Sequence, residues 1–504
     1  MSENPRAFAP GFLFGAATAA YQIEGAAFED GRTASIWDTF SREPGAVLHG
    51  DNGDVACDHY HHYPADVALM KELGLDTYRF SVSWARVRPD GGAVNQKGLD
   101  FYKRLVDELR AADILPWLTL YHWDLPQAIE DRGGWTVRST AEQFTEYALS
   151  VHDALGDRVQ NWTTLNEPWC SSFLSYTAGI HAPGRTSVTD GVLAAHHLLL
   201  GHGQTVGELR ARDASLDLGI TLNLTVAEPV DPAVPGDVDA ARRIDGQFNR
   251  WFLDPIFRGA YPTDIVEDIR AVSPAAIAAL DEATLPGDLE AIATPLDALG
   301  VNYYHGEFVG GSPDPHAPAS GDAPTTREIT SPFPSHERIF WHDRGLPRTN
   351  MNWEVDPAGL TTLLERVWRE YAQPAGTVLY VTENGASYDD VVDASGSDAA
   401  DGSGAAARRV HDVERTVFLR AHLGAIRDAQ DAGVDVRGYF YWSLMDNFEW
   451  AWGYGKRFGI VHVDYDTQER TLKDSALEYR RVIAARAIDV APASPVGEAA
   501  AAQR

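Results

Sequence analysis

Short apolar runs alternate with amphipathic stretches of helical period from one end of this chain to the other, and that alternation leaves few folds open. Residues 12–21 read as a first strand, small and apolar, and residues 58–74 as a helix stopped by Gly74. Residues 77–84 are predicted as a strand and 96–113 as a helix with Leu99, Tyr102, Val106 and Leu109 on one face. A third strand over 115–122 precedes a helix that Ser139 should cap, in which Phe144, Tyr147, Val151 and Leu155 recur at helical spacing. A fourth strand, from Val159, runs towards Glu167, and a long helix follows over 190–212. The remaining pairs are 218–224 with 240–258, 299–304 with 359–371, 378–382 with 408–432, and 436–444 with 472–485.

Eight βα units in series predict an α/β chain closed into a single (β/α)8 TIM barrel with long βα loops. The chain has 504 residues, and such a barrel typically needs about 250. The excess must go into loops: 125–138, 227–239, 306–352 and 387–407, the last predicted mobile from its Asp, Ser, Gly and Ala content. Residues 1–487 read as one catalytic domain without an internal linker, and the Ala/Pro-rich residues 488–504 as a disordered tail.

The strand ends carry the chemistry. Thr164-Leu165-Asn166-Glu167-Pro168 and Val381-Thr382-Glu383-Asn384-Gly385 each put a Glu where a strand exits. The other ends present Gln22, Arg79, His122, Asn223, Asn302 with Tyr304, and Trp442 with Glu449 and Trp450. One polar strand end is readily a cap or loop residue; a polar group at nearly every strand end of a barrel is not needed for packing. Two carboxyls so placed permit acetal hydrolysis, one protonating the leaving oxygen while the other attacks the anomeric carbon or activates water. Arg79 and Tyr304 could hold one carboxylate ionised, and Asn166 a sugar hydroxyl. Fourteen Trp residues suit the stacking of sugar faces.

These motifs resemble glycoside hydrolase family 1, the β-glucosidase family. Phe12-Leu13-Phe14-Gly15-Ala16-Ala17-Thr18-Ala19-Ala20-Tyr21-Gln22-Ile23-Glu24-Gly25 is similar to its N-terminal signature. Thr164 to Pro168 resembles its acid/base motif, Thr382 to Gly385 its nucleophile motif, and Trp442 to Trp450 its sugar-binding motif, with Lys456-Arg457-Phe458-Gly459 behind it. The resemblance runs from about Phe8 to Ala485 and implies retention of configuration through a covalent glycosyl-enzyme. It implies Glu383 as nucleophile and Glu167 as general acid, then base, with carboxyls roughly 5–5.5 Å apart. It implies glycone contacts from Gln22, His122, Asn166, Glu449 and Trp450, a platform in Trp442 with help from Trp123, nucleophile support from Arg79, Asn302 and Tyr304, and an aglycone contact in Trp353. Glu449 favours a free sugar hydroxyl over a phosphate, and a Glu at 167 favours O-glycosides over thioglucosides. The implied activity is that of an exo-β-glucosidase on cellobiose, oligosaccharides and aryl β-glucosides, in cellulose breakdown. A β-galactosidase, β-fucosidase or transglycosylating member is the alternative.

Other classes fit less well. A net charge of −31 disfavours nucleic acid and anionic membrane as partners, and no run of 18 apolar residues is present. The N-terminus lacks the basic and apolar regions of a signal peptide, and two cysteines, Cys57 and Cys170, suit a reducing cytoplasm. The sequons at Asn161 and Asn223 fall in predicted strands and are discounted. His59, His61 and His62 lack metal-ligand spacing; His196, His197 and His202 read as core or surface histidines; 201–207 is no dinucleotide fingerprint, since no strand precedes it. No metal and no cofactor are expected, and the partner is a small β-glycoside. Cys170 is placed to border the aglycone site, with no activating partner in sight for a role in the chemistry. A non-catalytic sugar-binding barrel would be expected to lack one of the two glutamates.

Overall fold

The computed structural model describes residues 5–314, 324–393 and 409–489. Eight parallel strands close a barrel: β1 Leu13–Ala17, β2 Thr77–Ser81, β3 Leu115–Tyr121, β4 Asn161–Asn166, β5 Asp217–Asn223, β6 Ala298–Asn302, β7 Val378–Asn384 and β8 Val436–Trp442. Each pairs with its neighbours in sequence, and β8 pairs with β1. Helices wrap the outside: α1 His59–Leu73, α2 Gln96–Ala111, α3 Ser139–Leu155, α4 Val188–Arg212, α5 Pro235–Asp245, α6 Trp251–Arg258, α7 Pro357–Val367, α8 Val413–Asp431 and α9 Asp474–Ala485. The (β/α)8 barrel is the architecture expected.

The barrel interior is packed with side chains. Trp117 of β3 meets Tyr380 of β7 and Phe440 of β8 edge-on, at 4.7 and 5.2 Å between ring centroids, and its indole N–H donates to Thr163 Oγ1 at 2.9 Å. Space is tight enough to require glycine at 300, where a Cβ would sit 2.3 Å from Thr221 Oγ1 and 2.6 Å from Thr382 Oγ1. Bulges interrupt the pairing of β4 with β5 between Thr163 and Asn166, and of β7 with β6 between Val381 and Glu383. A bulge re-aims the residue that follows it, so both glutamate-bearing strands carry the irregularity where they need it.

Some boundaries differ from those expected. β1 stops at Ala17, paired with Arg79, and Ala20–Ile23 turns into a short helix carrying Gln22. β2 stops at Ser81, and Trp84–Val87 is helical. Ser139 does not cap α3: it lies inside the helix, Arg138 takes the cap position, and no side chain bonds there. Serines do cap elsewhere: Ser187 accepts from the Asp190 N–H of α4 at 3.2 Å, and Ser35 forms a capping box with Asp38 at the start of Ile36–Phe40. The single helix expected over 240–258 is α5 and α6 joined by a π-helical turn, Gly246–Arg250.

The long loops are partly ordered by their own pairing. Ala227–Pro229, Glu307–Gly310 and Phe340–Trp341 form a three-stranded sheet. Within the segment read as mobile, Val391–Asp393 pairs with Arg409–His411, where a helix start was expected, and residues 394–408 lie outside the described residues. Ile488, the second residue of Ala487–Ile488, pairs with Arg6 instead of opening a tail; residues 490–504 lie outside the described residues.

Candidate active site

The C-terminal ends of the strands surround a cavity of about 400 Å³ lined by Glu167, Glu383, His122, Trp123, Asn302, Tyr304, Trp442, Glu449 and Trp450, with Trp353 on its wall. Gln22, Arg79 and Asn166 stand behind this lining. Glu383 Oε1 accepts from Arg79 Nη1 at 2.7 Å and Oε2 from the Tyr304 hydroxyl at 2.7 Å. Arg79 Nη2 donates to Asn166 Oδ1 at 2.6 Å. Asn302 Nδ2 donates to the same Oδ1 at 3.1 Å and to Glu167 Oε1 at 2.7 Å. Asn302, expected at the nucleophile, thus bonds Glu167 directly, while it also helps hold Glu383 ionised. Its own carbonyl oxygen accepts from Thr382 Oγ1 at 2.7 Å. Arg79, Asn166 and Asn302 therefore link the two carboxyls in one hydrogen-bonded chain.

Glu167 takes a left-handed backbone, φ 49°, and its N–H donates to Thr221 O at 2.9 Å. That conformation is uncommon for a residue other than glycine. Two positions after Glu383 only a glycine fits: a Cβ at Gly385 would lie 1.7 Å from the Trp442 carbonyl oxygen.

The electrostatics separate the two glutamates. Burial pushes the Glu167 carboxyl up to about 8, helped by the Glu383 charge, against hydrogen bonds from Asn302 and Cys170. Burial raises Glu383 too, but Arg79, in direct contact, opposes it by charge and hydrogen bond, joined by Tyr304 and Asn302. With one arginine between two buried carboxyls and touching Glu383, the ionised partner is Glu383 and the protonated one Glu167.

One side of the cavity carries buried polar atoms without protein partners among the described residues. Asn166 Nδ2 donates to His122 Nε2 at 3.0 Å, which leaves Nδ1–H as a donor, and that atom is buried and unpaired. Gln22 Nε2 donates to Asn447 Oδ1 at 3.0 Å and Phe448 O at 2.8 Å, while its Oε1 is buried and unpaired. Glu449 Oε2 is unpaired as well, and burial, with the charges of Glu383 and Glu167, pushes that carboxyl up to about 8. Buried polar groups normally find partners; three orphans around one cavity fit a polyhydroxylated ligand. Aromatic faces complete the wall: His122 lies parallel to Trp442 and Trp450, at 5.7 and 5.9 Å, and Trp123 packs on Trp450 at 4.5 Å. Trp353 stacks on His305 at 5.1 Å and packs on Tyr304.

Several lining residues were not foreseen: Trp169, His181, Phe248, Phe333 and Trp341. Trp169, two positions after Glu167, was open to discovery by adjacency. The others stand away from the barrel strand ends, Phe248 in the π-helical turn between α5 and α6 and Phe333 and Trp341 in the long 306–352 segment, and carry no strand-end signal. Asn223 and Cys170 also reach the cavity.

Among the described residues one acidic group could suggest a metal, Asp390, Asp446 and His462. Lysine and arginine already occupy it. Lys473 Nζ lies 2.7 Å from Asp446 and 2.8 Å from Asp390, Arg457 Nη1 bonds Asp446 Oδ2 at 2.6 Å, and Arg415 bonds Asp390 at 3.0 Å. This network anchors the loop that carries Glu449 and Trp450. Lys473→Ala is expected to lower unfolding free energy by about 3 kcal/mol or more, because it strips a buried partner from two carboxylates; a denaturation midpoint equal to wild type would contradict this. His59 and His61 are engaged by Asp66 and Asp58, at 2.7 and 2.6 Å.

Comparison with known proteins gives a consistent result. The family model described as glycosyl hydrolase family 1 matches residues 4–488. A thermostable beta-glucosidase B of Thermobispora bispora is 50% identical over 480 residues, 94% of this chain and 90% of that protein. A bifunctional beta-D-glucosidase/beta-D-fucosidase of Bifidobacterium breve is 46% identical over 95% of this chain and 98% of its own length. Among solved structures, a psychrophilic beta-glucosidase of Micrococcus antarcticus superposes with a TM-score of 0.90 at 51% identity, covering 96% of this chain and 100% of that one.

Proposed function

The chain belongs to glycosyl hydrolase family 1 and is an O-glycoside hydrolase of the β-glucosidase type; we propose that it removes terminal β-D-glucosyl residues with retention, through a covalent glycosyl-enzyme on Glu383. The observation that carries this reading is the unequal pair at the cavity floor: Glu383 against Arg79 and Tyr304, and Glu167 with no cation in contact and its carboxyl raised to about 8.

In the first step Glu167 gives its proton to the glycosidic oxygen as a Glu383 oxygen bonds to the anomeric carbon and the aglycone leaves. Esterification removes the charge of Glu383, one of the two causes that raise Glu167. Glu167, its proton already given to the aglycone, therefore stays ionised and is ready as a base. In the second step it takes a proton from water, which attacks the anomeric carbon and frees Glu383. Alternation between acid and base is thus driven by the charge on the neighbouring carboxyl.

Gln22, His122, Asn166, Glu449 and Trp450 hold the glycone over Trp442 and beside Trp123, with Arg79, Asn302 and Tyr304 behind the pair and Trp353 at the aglycone. Cellobiose, oligosaccharides and aryl β-glucosides are the proposed substrates, in the last stage of cellulose breakdown. The fucosidase activity in the printed name of the Bifidobacterium breve relative supports overlap with β-fucosides. Residues 1–487 act as one catalytic domain. Two buried, unpaired thiols support a cytoplasmic location, and among the described residues no helix is long and apolar enough to cross a membrane.

A panel of 4-nitrophenyl β-glycosides tests the substrate. Glucoside and fucoside should be turned over with kcat/KM within about tenfold of each other. The 6-phosphoglucoside should be poorer by on the order of 10³, since Glu449 faces that end of the sugar. Preference for the phosphorylated sugar would sink the assignment.

A further inference from the structure

The two oxygens of Glu167 are held by different donors. Oε1 accepts from Asn302 Nδ2 at 2.7 Å; Oε2 accepts from the Cys170 thiol at 3.1 Å. Both side chains are buried, Glu167 at 5% exposure and Cys170 at 5%. The backbone sets the approach. Cys170 opens a π-helical stretch, Cys170–Thr177, and its N–H donates to the Glu167 carbonyl at 3.0 Å. Such stretches are frequent at functional sites because they turn a side chain out of the ordinary helical direction. From the far side, Asn223 Nδ2, at the end of β5, donates to Cys170 Sγ at 3.6 Å. A thiol that accepts from Asn223 and donates to Glu167 has a fixed direction of hydrogen bonding. Burial and the adjacent Glu167 charge push the thiol well above its ordinary range, so it stays S–H, a donor and not a nucleophile, while the enzyme works.

We propose that Cys170, steadied by Asn223, is a positioning residue for the acid/base carboxyl: its S–H holds Glu167 in one orientation and favours the ionised form through the bond to Oε2. The proposal rests on the reading of Glu167 as acid and base. Other groups also act on Glu167 from neighbouring elements: Glu383 on β7, Arg79 on β2, Tyr304 after β6 and Glu449 after β8. All of them stay in place when only position 170 is changed, so a change in pH dependence reports the thiol.

The test compares Cys170→Val, which keeps volume and loses the donor, with Cys170→Ser, which keeps a donor. The alkaline limb of kcat/KM on phenyl β-glucoside should move up by about half a pH unit in Cys170→Val, a small shift because S–H is a weak donor. The limb should return to its wild-type position in Cys170→Ser. The loss of kcat/KM in Cys170→Val should be several-fold greater for phenyl than for 2,4-dinitrophenyl β-glucoside, which needs little acid assistance. Should Cys170→Val not fold, Cys170→Ala reads the same limb. Alkaline limbs identical in wild type and the donorless variant would overturn the proposal, as would equal losses on both substrates. Glu167→Ala separates the two levels: full turnover of phenyl β-glucoside by that variant would remove the reading of Glu167 itself, whereas its inactivity with an unmoved Cys170→Val limb refutes only the role of the thiol.

Discussion

Glu383→Ala should lower kcat on 4-nitrophenyl β-glucoside by on the order of 10⁴-fold or more, since it removes the carboxylate proposed to bond to the anomeric carbon. Azide should restore part of the rate and give the α-glucosyl azide, identified by NMR. The inversion follows from geometry: the anion enters the space left by Glu383 and attacks from that face. Arg79, which loses its 2.7 Å partner, should help draw the anion in. A variant that keeps wild-type turnover, or azide product of β configuration, would end the assignment of Glu383. Glu383→Gln should lose turnover to a similar degree, because the neutral amide oxygen is a far weaker nucleophile than the carboxylate. That variant keeps a side chain of the same shape against Tyr304 and guards against a purely structural loss.

The second large effect falls on Glu167 and depends on the leaving group. Glu167→Ala should cost about 10²–10⁴-fold in kcat/KM on phenyl β-glucoside or cellobiose, where the departing oxygen needs a proton. It should spare kcat/KM on 2,4-dinitrophenyl β-glucoside, whose leaving group departs as the anion. With that substrate the second step becomes limiting, so a burst should precede slow turnover, and azide should give the β-azide by attack on the glycosyl-enzyme. Losses of equal size across leaving groups would contradict an acid role. The pH profile gives the same answer by another route. The active form needs Glu383 ionised and Glu167 protonated. Activity should therefore fall at low pH as Glu383 takes a proton, and fall again as pH rises through about 8, where Glu167 loses its own. In Glu167→Ala the alkaline fall on the dinitrophenyl substrate should vanish.

Much of the barrel was legible because its signals are local. Each strand is a short apolar run that ends at a turn, and most helices show a face of helical period. Errors cluster where a local signal competes with a tertiary one. Ser139 looks like a cap, yet it is the first residue of the helix, and no side chain caps that end. The run ending at Tyr21 is mostly apolar, yet it leaves the sheet after Ala17 and turns into a short helix at Ala20. The strand pair Val391–Asp393 with Arg409–His411 was invisible, since each piece is three residues long and only the pairing makes it a strand.

The candidate site divides along the same line. The sequence by itself determined which groups stand at the strand ends, because strand, turn and glutamate are contiguous: Asn166-Glu167-Pro168, Glu383-Asn384-Gly385, Glu449-Trp450. It also determined the type of chemistry, since two carboxyls in a sugar-gripping frame admit few reactions. Only the tertiary structure decided how those groups differ. Glu167 and Glu383 are the same residue on equivalent strand ends, and what separates them is a guanidinium 304 positions away from Glu383 in the chain. Asn302 turns to Glu167, the Cys170 thiol takes the second oxygen, and Phe248, Phe333 and Trp341 arrive from distant parts of the chain to line the cavity. The physical reason is that ionisation and orientation depend on distance through space in a medium of low dielectric, and distance through space is what closure of the barrel sets.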